Sequence, residues 1–232
     1  MASINTNYGA MVAAQSFAMT SRELDKVQNR VTTGLKVSSA KDNGAIWAIA
    51  NTQKANAKAL DSTINNLQRR QSIADVGLAA GETVMAALTE MKALAAAIQA
   101  GGGSVAAYQA DFTALSGEIT AAYTAATFDG TAAFASNPGA PASQTVTAVQ
   151  TSIDAWASAL QTIGTNAKSY ERQIAFNSKL QDALEAGAGN LVDADLAKES
   201  ARLQALQTKQ QLGVQALSIA NSSASVLLGL FR

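Results

Sequence analysis

Apolar residues recur at helical spacing along nearly the whole chain. From Ala10 to Leu35, Phe17, Leu24 and Val31 return every seven residues, with Val27 and Leu35 beside them. This is one narrow apolar seam of the kind that pairs helices in a coiled coil, and Gly34 predicts a break at its end. A second helix is predicted from about Lys41 or Asp42 to Ala100, where Val84, Leu88, Met91, Ala95 and Ile98 alternate steps of three and four. Gly77 and Gly81 weaken it, and the run Gly101-Gly102-Gly103-Ser104 ends it. A third helix from about Val105 to Ala126 carries the stripe Phe112, Leu115, Ile119, Tyr123.

Residues 127–144 break the pattern. Asp129-Gly130 is a hairpin-turn dipeptide, Phe128 and Phe134 are expected on short flanking strands, and Pro138 and Pro141 are the only prolines. A fourth helix starts near Thr145. Val149, Ile153, Trp156, Leu160, Ile163, Ala167, Tyr170 and Ile174 keep its rhythm, and Gly187 and Gly189 are expected to end it. The last helix runs from about Asp193 to Leu230. Leu196, Leu203 and Leu217 share one seam, Val192, Leu206 and Leu227 share its neighbour, and Gln210 and Gly213 interrupt both.

The fold class expected is therefore mainly all-α. Both chain ends form a long antiparallel helical bundle or coiled coil, with a small β-hairpin or loop in the middle. Each terminal seam is narrow, whereas ordering the backbone costs about 1–2 kcal/mol per residue. One helix pair buries too little to meet that cost, so the ends are expected to order against neighbouring copies of the chain. Two prolines in 232 residues and only 5% aromatics suit slim helices.

Seventeen basic residues balance seventeen acidic ones, giving no electrostatic ground for nucleic acid or anionic membrane as a partner. Cys and His are absent, which excludes disulfides, zinc fingers and any Ser-His-Asp triad. No constellation of polar residues suggests an enzyme or a cofactor. Asp193, Asp195 and Glu199 could be read as a metal site, but the helix dipole explains acidic residues in a first turn without a metal. Arg69-Arg70 reads as a solvated helix face. The opening has neither a basic nor an apolar leader region, and Glu90 and Lys92 interrupt the most apolar stretch, so no membrane insertion is expected.

The residues resemble a known family at this point, the bacterial flagellins. The resemblance lies in INTNYGAMVAAQSF at the start, VTTGLKVSSAKDNGAIWAIANTQKA over 31–55, NNLQRRQSIADVGLAAGE over 65–82, and LVDADLAKESARLQALQTKQQLGVQALSIANSSASVLLGLFR at the end. It covers roughly the first 100 and last 60 residues, and the AIWAIA wording looks like the alphaproteobacterial branch. It implies a subunit of the bacterial flagellar filament, secreted and extracellular, short and lacking the outer domains. Residues 1–40 and 190–232 would form an inner-tube coiled coil, and 41–189 an outer-tube helical domain with its loop near 127–144. Implied partners are other copies of the chain, sister flagellins, the flagellar type III export apparatus, a C-terminal export chaperone, and junction and cap proteins. Alternatives are a hook–filament junction protein, which shares the terminal helices, and a soluble coiled-coil signalling or binding module.

Three groups of site residues follow. The assembly interface is expected at Phe17, Leu24, Val27, Val31, Leu35, Leu196, Leu203, Leu206, Leu217, Leu227, Leu228 and Phe231. Lys41 and Asp42 are either surface charge or part of that contact. Thr127, Thr131, Ser136, Ser143, Thr145 and Thr147 surround the proline loop and are candidate O-glycosylation positions, with turn chemistry as the competing reading. Many flagellins carry a QRVRELAVQ-like stretch that a Toll-like receptor docks on. The aligned TEMKALAAA, residues 89–97, keeps Leu94 and a positive charge at Lys92. It has Glu90 where the first Arg falls, and Ala93 and Ala97 replace polar residues, so weak receptor activation is expected.

Overall fold

A computed structural model describes residues 7–101 and 103–230; over 223–230 it describes the backbone alone. The chain is helical as predicted: α1 (Tyr8–Thr33), α2 (Ala40–Ala100), α3 (Val105–Ala125), α4 (Val146–Val192) and α5 (Leu196–Leu230). Two short strands, β1 (Thr127–Phe128) and β2 (Thr131–Ala132), form an antiparallel hairpin. Asp129 and Gly130 turn it with φ of 50° and 70°. Two consecutive positive φ values define the turn that matches strand twist, and Asp-Gly tolerates both. Phe134 lies beyond β2 rather than on a strand, and it is buried.

The chain divides into two compact units. One joins the residues up to 56 with those from 183 onward, and the other is 57–182. In the second unit α2, α3 and α4 enclose Leu88, Met91, Ile119, Val149 and Trp156, all almost completely buried. The loop closes over them. The Phe134 ring stands edge-on to Trp156 at 5.1 Å, and Tyr123 meets Trp156 at 6.4 Å. The Trp156 Nε1–H donates to the Gly139 carbonyl at 3.0 Å, so a buried indole keeps its hydrogen bond and holds the proline loop down. Arg69 is not simply solvated. Its guanidinium pairs with Asp129 at 3.0 Å and donates to Thr131 Oγ1, fastening the hairpin.

α2 continues through Gly77 and Gly81 because both sit under large side chains. A Cβ on Gly81 would stand 2.0 Å from Leu160 Cδ2, and one on Gly77 would stand 3.2 Å from Ile163 Cδ1.

In the first unit, α1 ends at Gly34, whose φ of 71° and N–H bond to the Arg30 carbonyl make a left-handed cap. The expected end of α4 at Gly187 and Gly189 is corrected: the helix runs on to Val192. Each glycine costs a helix about 1 kcal/mol relative to Ala. Here packing outweighs that cost, since Ala188 and Val192 are buried with Val37 and Ala50, and Gly187 lies close against Gln53. The two breaks in the chain meet. Leu35 and Asp193 form an antiparallel bridge, and Lys36 N–H donates to Val192 O at 2.7 Å while Ala194 N–H donates to Gly34 O at 2.8 Å.

Candidate functional site

α1 and α5 pack antiparallel along their length. Asn7 caps α1 by accepting from Ala10 N–H, and its Nδ2 reaches across to the Ala220 carbonyl at 2.7 Å. Phe17 lies against Gly213, where a Cβ would approach its ring to 3.3 Å, so the gap that Gly213 leaves in the seam is the space Phe17 fills. At the other end Arg30 pairs with Glu199 at 3.1 Å, both side chains largely shielded from solvent. Asp195 caps α5 by accepting from Ala197 and Lys198 N–H. The acidic residues there therefore serve as a cap and an ion-pair partner.

The predicted seam is where the two helices meet. Val27 and Leu206 are buried, and Phe17, Leu24, Val31, Leu35, Leu203 and Leu217 are half-buried. Leu196, just after the Asp195 cap of α5, is 49% exposed in the single chain, more than Leu203 and Leu217. The side chains of Leu227, Leu228 and Phe231 lie outside the described residues. Both terminal helices are formed and paired within one chain. What the single chain leaves undone is cover for their other faces.

Those faces are apolar too. On α1, Tyr8, Met11, Val12 and Met19 are half exposed or more; on α5 so are Leu212, Val214 and Ile219. At three, four and eleven residues from Tyr8, the α1 set forms one stripe. It lies away from the face that carries Phe17 and Leu24. Leu212 and Ile219, seven apart, do the same for α5. Beside Val214 a groove of about 450 Å³ opens between the helices, walled by Ala14, Phe17 and Leu217. Contiguous exposed apolar surface of this kind marks an interaction site. The sequence holds the signal, but a reading that looks for one seam per helix passes over the second stripe.

The break between α1 and α2 carries a small polar device. The Asp42 carboxylate accepts from the N–H and Oγ of Ser38 and of Ser39. The Ser38 hydroxyl, then its N–H, lead in holding this exposed carboxyl below the usual range; desolvation opposes them, and the Ser39 N–H and hydroxyl add smaller help. Asn43 has φ −162° and ψ 101°, and its Oδ1 accepts from Ile46 N–H. The regular part of α2 therefore begins at Gly44 with Asn43 as its cap. Lys41 is exposed.

Known proteins now decide what these helices are. A family model for the bacterial flagellin N-terminal helical region matches residues 4–138, and one for the C-terminal helical region matches residues 144–231. The chain belongs to the flagellin family. It is 45% identical to flagellin FljO and to flagellin FljK of Caulobacter vibrioides, over 99% of its own length and 98% of theirs. It is 34% identical to a flagellin of Brucella melitensis over the full length of both. The Caulobacter alignments span 269 positions against 232 residues here, so those relatives carry segments with no counterpart in this chain. This flagellin is a short one without outer domains, a structural subunit that self-assembles into the bacterial flagellar filament, alone or with sister flagellins. Among the described residues no helix is long and apolar enough to cross a membrane.

The remaining site residues lie in the 57–182 unit. Glu90, Lys92 and Ala93 are exposed on α2, while Leu94 and Ala97 are half-buried. The Lys92 ammonium is tied to Gln150 Oε1 at 2.6 Å. Thr127, Thr131, Ser136, Ser143, Thr145 and Thr147 are all exposed. Three of them have structural work. Thr145 Oγ1 caps α4 through Ala148 N–H, Ser143 bonds Thr145, and Thr131 accepts from Arg69.

Proposed function

We propose that this flagellin assembles through the outer stripes of α1 and α5 as well as the seam between them. Tyr8, Met11 and Met19 on one helix, and Leu212 and Ile219 on the other, are the surface a second copy covers. The observation that carries this is their exposure on helices whose opposite faces are already paired in one chain. A contact of unlike faces, repeated by a rotation that does not close, generates an open helical array. In this reading residues 1–40 and 190–232 line the inner tube and 41–189 the outer tube. The subunit leaves the cell through the flagellar type III apparatus, held at its C-terminal segment by an export chaperone, and it meets junction and cap proteins at the filament ends. Ser136, Thr127 and Thr147 are the better candidates for O-linked sugar, because Thr131, Ser143 and Thr145 are engaged in hydrogen bonds. Glu90 and the engaged Lys92 make the surface a poor match for the Toll-like receptor.

The test is charge placement on the outer stripes. Met11→Glu with Leu212→Glu is expected to leave monomer helicity unchanged and to abolish filaments seen by electron microscopy. Filaments at normal yield would overturn the reading. Val27→Glu, on the inner face, is expected to lower monomer helicity as well.

A further inference from the structure

Asn43-Gly44 is the only Asn-Gly dipeptide in the chain. It stands where helical protection lapses. A helical asparagine is followed by an amide already bonded in the helix ladder, and its backbone is held helical. Asn43 is extended and exposed, and Gly44 follows it as the first residue of the regular part of α2. A Cβ at Gly44 would meet nothing within 4 Å beyond its own turn, so no distant part of the chain packs on this residue. The Ile46 N–H, 3.2 Å from Asn43 Oδ1, polarises the side-chain carbonyl and makes Cγ more electrophilic.

We propose that Asn43 is a self-modification site, converting through a cyclic imide to aspartate and isoaspartate as the protein ages. Hydroxide removes the Gly44 amide proton, and the nitrogen attacks Asn43 Cγ. The N–Cγ bond forms, the Cγ–Nδ2 bond breaks, and ammonia leaves with a proton taken from water. Water then adds to one or other ring carbonyl, giving aspartate or its isomer with the backbone running through Cβ. No oxidant or reductant takes part. Closure requires rotation about ψ of Asn43, away from 101°, which makes the reaction slower than in an unfolded peptide.

The consequence is local and electrostatic. Asn43 lines a groove of about 540 Å³ whose charged walls, including Lys36 and Lys198 against Asp42 and Asp195, balance at four cations and four carboxylates. The product adds a carboxylate next to Asp42 and leaves the groove net negative. The isoaspartyl form also takes away the cap on Ile46.

Trypsin provides an internal control, because the peptide 42–54 contains both Asn43 and Asn51, which is helical and followed by Thr52. Purified protein kept folded at mildly alkaline pH and 37 °C for weeks is digested and read by fragment-ion mass spectrometry. The expected result is an amide-to-acid mass gain at Asn43 with an isoaspartyl component and none at Asn51. Gly44→Ala is expected to slow it by about tenfold, since a Cβ restricts the backbone that glycine leaves free. No gain at Asn43, an equal gain at Asn51, or no effect of Gly44→Ala would each overturn the proposal. Filament formation does not enter the measurement, so the outcome is independent of the assembly surface.

Discussion

Glycine at two helical positions gives opposite expectations. Gly81 lies under Leu160, and three atoms of that side chain would fall within 3.0 Å of a new Cβ. Gly81→Ala gains helix propensity but forces Leu160 aside, for a net loss of about 1–2 kcal/mol. Gly117 on α3 has open space around it, so Gly117→Ala is expected to gain about 0.5–1 kcal/mol. Urea denaturation of the two variants checks both signs. Asp42 adds a pH dependence. Its folded carboxyl titrates below the ordinary value of about 3.9. The ordering it provides is therefore complete above that value and is lost as pH falls through the lowered one. The protection factors of the Ser38 and Ser39 amides, observed exchange set against the intrinsic rate at the same pH, are expected to fall only in acid for the native chain, and to be low already at neutral pH for Asp42→Ala. Equal protection of the two at neutral pH would show that the carboxylate does not hold the turn.

The elements to compare are α1 and α5. Their seam fully buries few apolar side chains, Val27 and Leu206 chief among them, so single polar contacts weigh heavily on their pairing. Arg30 and Glu199 join residues 169 apart in sequence, and Glu199 is only 12% exposed. Arg30→Met leaves that carboxylate shielded without its cation, which is expected to cost about 1–3 kcal/mol. Adding Glu199→Gln removes the stranded charge and recovers part of the loss. Thermal unfolding of the two single variants and the double one measures the coupling, and strict additivity would mean that the pair is decorative.

For the whole molecule, the two units differ in how much they bury. The 57–182 unit encloses Trp156, Met91 and Ile119, whereas the other unit depends on a few alanines and valines at the chain breaks and on the α1–α5 seam. Local opening follows buried apolar contact. Trypsin acting on the monomer is expected to cut at residues such as Lys26, Lys54 and Lys209 first and to leave a fragment bounded near Lys58 and Lys179. In filaments, neighbouring copies that cover the outer stripes would protect the ends. Cleavage at Lys92 as fast as at Lys26 would contradict this.

Helix positions, the Gly34 break, the Asp-Gly hairpin and the seam at Val27 and Leu206 follow from the order of residues alone. Each depends on near neighbours in the chain, through periodicity, a missing Cβ or a turn preference. The family was legible for the same reason, since its signature lies in contiguous runs at both ends. Three features needed the tertiary structure. The helix through Gly187 and Gly189 persists because distant residues pack on it. The Arg30–Glu199 pair and the Leu35–Asp193 bridge join positions that local patterns do not connect. The outer stripe of Met11, Met19, Leu212 and Ile219 stands out only once the inner faces are seen to be occupied. An apolar residue is evidence of an interface when nothing in its own chain covers it, and cover is a property of three-dimensional packing.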